Sequence, residues 1–403
     1  MRIYLDYNAT APPAPGVVDA VCRVLQDIPG NPSSIHTPGQ QARAVLDTAR
    51  HAVAALIGAA ASDVILTGGG TESDNLAIRG AAEALQGNDD AGRRHLVTSA
   101  IEHEAVLATC AVLERRGWRV TRLAVGRSGM VSPADVEAAL AAAPGCAALV
   151  SIMHANNEIG TLQPIAEIAA IARTHGALCH TDAVQTVGKI PVSVSALGVD
   201  LLSLSGHKFG GPKGTGALWL RRGLRLQAQQ TGGKQERSRR AGTENVAGLA
   251  GLGAAADYAR ATLEEHMAQV ARLRDRLEHG IVSGVSRTEV NGERSQRVPN
   301  TTNISVEGVE AELLLMALDL DGIAVSTGAA CSSGSLEPSH VLKAMGLPSA
   351  RARTSLRFSL GPATTEQEID DVIARLPALV DKLRRLGRTA AGIGSGSHRT
   401  AER

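Results

Sequence analysis

The order of apolar and polar positions divides the chain into short apolar runs alternating with amphipathic segments. Val64–Thr67, His95–Ser99, Trp118–Leu123, Ala147–Met153, Leu178–Thr181, Leu201–Ser205 and Gly216–Leu220 have the length and apolar character of strands. Between them, Thr71 to about Leu85, His103 to about Arg115, Pro133–Leu140 and Pro164–His175 carry helical spacing. Ahead of these lie a short strand from Tyr4 that runs into proline-stopped chain at Pro13, and a loop over Asn31–His36. Thr37 then reads as the cap of a helix with Pro38 in its first turn, reaching Ile57 and stopping at Gly58. Strand and helix in alternation with short connections predict an α/β unit with a mostly parallel sheet. Such sheets bind ligands beyond the carboxyl ends of their strands.

After about Ala256 the pattern changes. A long helical stretch over Ala261–His279 precedes a strand (Asn300–Val306), a helix (Val309–Leu320) and a short strand (Ile323–Val325). A small-residue loop (Ser326–Ser335), a helix (Pro338–Met345) and a strand (Thr354–Leu360) follow. Thr365 with Glu368 forms a capping box for a last helix to about Leu386, ahead of a Gly/Ser/Arg-rich tail from Ala391 expected to be disordered. This is an α+β arrangement. The division expected is a large unit over residues 15–256 and a smaller one made of 1–14 and 257–388, with a tail at 389–403.

Composition narrows the function classes. The formal charge of +1 and the lack of a long basic run argue against nucleic acid as a direct partner. No apolar run approaches a membrane span, and the start has no signal-sequence pattern. The five cysteines form no CxxC pair, which points to a reducing compartment, the cytoplasm. Cys22, Cys110, Cys146 and Cys179 sit among Val, Ala and Leu and read as small core residues. Cys331 stands in Ser326–Ser335 with almost no apolar bulk, as an exposed and mobile reactive thiol would.

The strand ends carry the candidate chemistry. Gly68-Gly69-Gly70-Thr71 between strand and helix reads as a phosphate cradle or as an ordinary helix cap after a glycine turn. Asp182, after Leu178–Thr181, could hold a pyridinium N–H protonated or cap the segment near Val184. Lys208 ends the strand Leu201–Ser205 in a glycine-rich turn, where burial would favour a neutral, nucleophilic amine; a surface lysine is the bland alternative. His103 could stack on a ring or simply start a helix. Arg357, flanked by apolar residues in its strand, needs a carboxylate, either a substrate's or an internal one.

Taken in register, Tyr4–Thr10, Gly69–Asn75, Glu102-His103, Ser151–Gly160, His180–Gln185, Ser205–Gly214, Arg240–Asn245, Cys331–Ser339 and Leu356–Gly361 resemble the NifS/IscS-type cysteine desulfurases. The details Arg239–Asn245 and the length of the loop around Cys331 are closer to the NifS-like group than to the SufS-like group. The resemblance implies a fold-type-I pyridoxal 5'-phosphate (PLP) enzyme, with a mostly parallel seven-stranded sheet in the large domain. It implies that Lys208 carries the cofactor and later moves the α-proton, that Asp182 pairs with the ring nitrogen, Gln185 with the ring hydroxyl, and that His103 stacks on the ring. Gly70, Thr71, Ser205 and His207 would hold the phosphate, with Thr243 reaching in from the second subunit of a homodimer. Asn157 and Arg357 would bind the carboxylate of L-cysteine. Cys331, in a mobile loop at 326–337, would accept the sulfur and pass it to an acceptor or scaffold protein, for iron–sulfur cluster assembly or another thiolation pathway. No resident metal is implied, only Cys331 as a transient iron–sulfur ligand. A selenocysteine lyase or another class-V aminotransferase-family enzyme is the alternative within enzymes, and an idle partner of a sulfur-transfer scaffold the alternative outside them. Two features depart from the pattern: Lys234 stands where a glycine is expected, and the tail does not resemble the scaffold-docking tail of the housekeeping group.

Overall fold

The computed structural model describes residues 2–86, 92–327 and 338–394, with 388–394 as backbone alone. Its strands are β1 (Ile3–Tyr4), β2 (Val64–Thr67), β3 (His95–Ser99), β4 (Arg119–Leu123), β5 (Ala147–Ser151), β6 (Leu178–Asp182), β7 (Leu201–Ser205), β8 (Gly216–Leu220), β9 (Thr288–Val290), β10 (Thr301–Val306), β11 (Ile323–Ala324) and β12 (Ser355–Ser359). Seven of them form one sheet in the order β2-β8-β7-β6-β5-β3-β4. Only β8 runs against its neighbours, as the antiparallel pairs Val64↔Trp219 and Leu201↔Leu220 show. β2, β3, β5, β7 and β8 are buried along their whole length and β6 all but its first residue, which explains why they read as apolar runs rather than alternating ones.

Helices cover both faces of this sheet and create two core clusters. One holds Val97, Val150, Leu202 and Ala217, the other Leu96, Leu149, Leu201 and Leu218, so successive residues of one strand enter opposite cores. A third cluster gathers Ile3, Leu5, Leu273, Leu277, Ile304, Leu356, Phe358 and Ile369 around the antiparallel sheet β12-β10-β9. β1 pairs in parallel with β11, so the first residues of the chain belong with the last third.

The helix expected over Ala261–His279 instead runs from Val246 to Gly284. Its first half packs Leu249, Leu252 and Ala256 into one core and its second half Val270, Leu277 and Ile281 into the other. Glycine is a poor helix former, yet close packing requires it here: a Cβ on Gly253 would lie 2.8 Å from Ala49 Cα of the helix Thr37–Leu56, and one on Gly251 2.8 Å from Val21 Cγ2. That second helix is capped by His36, whose Nδ1 accepts from Gly39 N, with Thr37 already in its first turn. The final helix, started by the reciprocal Thr365–Glu368 bonds, extends to Gly394, past the point where the tail was expected to begin. Residues 395–403 lie outside the described residues. β9 has no counterpart in the sequence reading, being three partly exposed residues. Of the four cysteines expected in the core, Cys110 and Cys179 are buried; Cys22 and Cys146 are exposed, the first on a helix flank and the second in the turn before β5.

Candidate active site

The carboxyl ends of β2, β3, β5, β6 and β7 open on one side of the large sheet, facing β12 of the smaller one. A cavity of about 1240 Å3 lies there. It is lined by Gly70, Thr71, His103, Asn157, Asp182, Gln185, Ser205, His207, Lys208 and Arg357, which are the sequence candidates apart from Thr243 and Cys331.

Lys208 closes a short 3-10 turn, Gly206–Lys208, that follows β7. Its Nζ donates to the main-chain oxygens of Asn8 (2.7 Å) and Ala9 (3.0 Å). Burial lowers the Lys208 amine to about 8, and Arg357 acts in the same direction against Asp182 and Asp6. About a tenth of such an amine is neutral at pH 7, some hundredfold more than for an ordinary lysine. Its neighbour His207 is likewise pushed down, to about 4, by burial and by Lys208, Lys213 and Lys189, so its imidazole is neutral. His207 Nδ1 lies 3.2 Å from Thr10 Oγ1.

Asp182 ends β6, and both roles expected for it can coexist. Oδ1 accepts from Val184 N at 2.9 Å, the capping role, while the carboxylate also lines the cavity. Burial raises its pKa, opposed by Val184 N–H, His103 and Lys208; a cationic ring nitrogen is the partner that would ionise it fully. His103 also does two things. Its Nδ1 accepts from Ala105 N at 3.1 Å and caps the helix Glu104–Arg115, which leaves the ring exposed at the cavity wall. Gln185 has both amide ends engaged, Nε2 donating to Asn8 O (3.1 Å) and Oε1 accepting from Lys189 Nζ (2.6 Å).

Gly70 opens the helix Gly70–Gln86 directly after β2. A Cβ here would come within 2.8 Å of Val184 Cγ2, so the backbone approaches the β6 loop as only glycine allows. Beside the cavity, a recess lined by Gly68–Glu72, Thr10, Ser205, His207 and Lys213 presents this helix N-terminus. Glu72, on the first turn, accepts from Gly68 N at 2.9 Å and pairs with Arg240 at 2.9 Å, which ties the Arg240 segment to the glycine turn. Helix N-terminal N–H groups, the hydroxyls of Thr10, Thr71 and Ser205, a neutral imidazole and a rim lysine suit a phosphate. A nucleophilic lysine and a carboxylate stand next to it. The residues present fit PLP.

Arg357 is buried on β12. Nη1 donates to Asn157 O (2.9 Å) and Nη2 to Asp6 Oδ1 (2.6 Å), so an internal carboxylate does occupy one edge of the guanidinium. Nε is buried and has no partner among the described residues. Asp6 and Asn8 were not singled out by the sequence reading. Asn8 joins the two halves of the site: its carbonyl accepts from Lys208 and Gln185, and its Nδ2 donates to Asn157 O (3.1 Å) and Thr301 Oγ1 (2.8 Å). The only signal was its place in the motif Tyr4–Thr10, since an asparagine after a strand usually marks a turn.

Cys331 and the rest of 328–337 lie outside the described residues. The flanks are described. Ser326 exchanges main-chain hydrogen bonds with Arg357, and Ser339 Oγ donates to Glu158 Oε2 (2.5 Å) while His340 Nε2 lies 2.9 Å from Glu102 O. Ser326, Thr327, Pro338, Ser339 and His340 all line the cavity. Thr243 is exposed and stands apart from the cavity of its own chain; Lys234 is exposed just before the short turn Gln235–Ser238.

A lysine of lowered pKa, a carboxylate at the neighbouring strand end and a glycine-opened helix, set on a mostly parallel seven-stranded sheet, define a PLP enzyme of fold type I. The model of the family Aminotransferase class-V matches residues 3–372, and the chain belongs to that family. The chain is 49% identical over 384 residues to a cysteine desulfurase of Nostoc sp., covering 95% of this chain and 94% of the relative. Its fold matches a solved NifS-like protein with a TM-score of 0.88 at 34% identity, over 95% of this chain and 100% of the other. It also matches a structure of SspA in complex with cysteine, with a TM-score of 0.78 at 35% identity, over 91% and 100% of the two chains.

Proposed function

We infer that the protein is a PLP-dependent cysteine desulfurase, which takes sulfur from L-cysteine, releases L-alanine and carries the sulfur as a persulfide on Cys331. The observation that carries this reading is the cavity itself. It combines Lys208 and Asp182 on one wall with Arg357 on the other, and its rim is formed by the residues on both sides of the Cys331 segment.

When bound, PLP supplies an electron sink conjugated to the substrate Cα. Lys208 Nζ is the amine that would hold the cofactor and, when free of it, would move the Cα proton of the substrate. The two carbonyls that hold it accept only, so they stabilise whichever N–H bonds the amine retains. Asp182 would keep the ring nitrogen protonated, Gln185 would donate to the ring oxygen and the His103 ring would cover one face. Gly70, Thr71, Ser205 and His207 would bind the phosphate. Arg357 Nε, with the Asn157 side chain, would receive the substrate carboxylate, and the Asp6 and Asn157 contacts fix the guanidinium for that bond. The sulfur step balances without an outside oxidant: the substrate C–S bond breaks, an S–S bond forms on the Cys331 thiolate, and Cβ gains a proton to become the alanine methyl group. The large unit at 15–256 would hold the cofactor, and the unit formed by 1–14 and 257–388 would carry the cysteine segment. A homodimer in which Thr243 completes the partner's phosphate site agrees with the exposure of Thr243 in its own chain.

No described helix is long and apolar enough to cross a membrane, and we propose a cytoplasmic enzyme whose sulfur passes to an acceptor protein, for iron–sulfur assembly or another thiolation pathway. The test is to load the purified protein with PLP, add L-cysteine and measure alanine and sulfide together. Equal yields of the two under reducing conditions are expected. Alanine from another amino donor with none from cysteine would move the protein to a different reaction in the same family.

A further inference from the structure

We propose that Lys189 is a positioning residue for the cofactor, which orients the Gln185 amide so that one N–H of Nε2 faces the cavity. This rests on the ring placement given under Proposed function. Lys189 Nζ donates to Gln185 Oε1 (2.6 Å) and to Asn8 Oδ1 (2.8 Å). The Asn8 carbonyl accepts from Gln185 Nε2 (3.1 Å) and from Lys208 Nζ (2.7 Å). A carbonyl oxygen can only accept, so the amide nitrogen of Gln185 must face Asn8 and the amide oxygen must face Lys189. A flipped amide would set two oxygens against each other at the Asn8 end. Nε2 has two protons. Asn8 takes one, and the second is left for the cavity that Gln185 lines.

The charged groups around Lys189 support the same role. Lys208 and Arg357 act on it with their own positive charge, His207 also faces it, and among the described residues no carboxylate pairs with it. Asp182 and Asp6 act on Lys208 instead. Burial pushes the Lys189 amine well below the usual lysine range. Its Nζ carries only donors, and the two groups it meets are amide oxygens, which only accept. The contacts of Nζ fix hydrogen-bond direction, since both are to amide oxygens.

An N–H donated to the ring oxygen draws electron density from the nitrogen that joins Lys208 to the cofactor, and so lowers the pH at which that nitrogen loses its proton. Removing Lys189 frees the amide to turn and should raise that midpoint. The test is a pH titration of the visible absorbance of the PLP-loaded protein, wild type against Lys189→Met. We expect the midpoint to rise by about one unit, the scale of one lost directed contact, with turnover reduced and KM for cysteine nearly unchanged. In a Gln185→Leu background the same substitution should leave the midpoint where it was. Lys189→Leu, which likewise removes the donors, serves if the methionine variant does not fold, and should shift the midpoint in the same direction. An unmoved midpoint, or an equal shift without Gln185, would overturn the role of Lys189. A wild-type protein that gains no visible band with PLP would overturn the cofactor reading beneath it.

Discussion

Lys208 and Arg357 show how burial sets chemistry residue by residue. A lysine brought to about 8 by burial is an amine in waiting over the neutral range. Its rate of PLP capture should therefore climb about tenfold per pH unit below 8 and level off above it. The sign follows from the lowered pKa, because the reactive neutral form dominates above that value, and His207, near 4, stays neutral throughout. Stopped-flow absorbance of the apoprotein across that range checks it; a flat profile would mean another amine is captured. Lys208→Ala should abolish the lysine-bound band and reduce turnover by about 10^3-fold or more, acid–base and covalent roles being lost together. Arg357→Lys keeps the charge but not the fork, and should raise KM for cysteine about tenfold or more through one lost charged hydrogen bond. Lys208, Asp182 and Arg357 were legible in the sequence because each polar residue ends or interrupts an apolar run. Lys189 and Asn8 were not, since nothing in Gly188-Lys189-Ile190 or Asp6-Tyr7-Asn8 distinguishes a buried hub from a solvated turn.

At the scale of elements, the sequence reading succeeds where one signal decides and fails where two compete. The strands β2, β3, β7 and β8 match their apolar runs to the residue, since both faces are buried and no alternation confuses the pattern. The helix Val246–Gly284 begins well before the expected Ala261, its glycine-rich first half packing Gly253 against Ala49 despite the low helix propensity of glycine. Gly70 tests the same physics at the site. Gly70→Val would drive its side chain into Val184 and is expected to weaken PLP binding by about tenfold or more while the rest of the fold survives, as read by cofactor titration and far-UV dichroism. A second element-scale case is the left-handed run Glu236, Arg237 and Ser238. It persists because Glu236, almost fully buried, forms a two-pronged pair with Arg50 at 2.6 and 2.7 Å and also accepts from Leu66 N. Glu236→Ala leaves Arg50 without its partner and should cost about 3–5 kcal/mol by denaturant unfolding. A loss within ordinary surface-mutation range would show the run to be held by something else.

For the molecule as a whole, the N-terminal strand and the last third share one core, the large sheet has its own pair, and the active site lies where these meet. The class of fold was legible from alternation alone. The way residues 3–8 reach across to β11, β12 and Lys208 was not, because pairing between distant segments leaves no local trace. If the enzyme is a dimer with Thr243 completing the partner's site, a mixture of inactive Lys208→Ala and impaired Thr243→Ala chains should regain activity after subunit exchange, since one site in each mixed dimer is intact. No recovery would place Thr243 outside the partner's site. The central claim, that sulfur passes from cysteine to Cys331, is tested most directly by a single turnover of L-cysteine with the wild type and with Cys331→Ser, following the visible spectrum, alanine and protein-bound persulfide. The account predicts one alanine and one persulfide per wild-type site, and a variant that changes its spectrum with cysteine but forms neither product. Alanine and sulfide released undiminished by Cys331→Ser would contradict it.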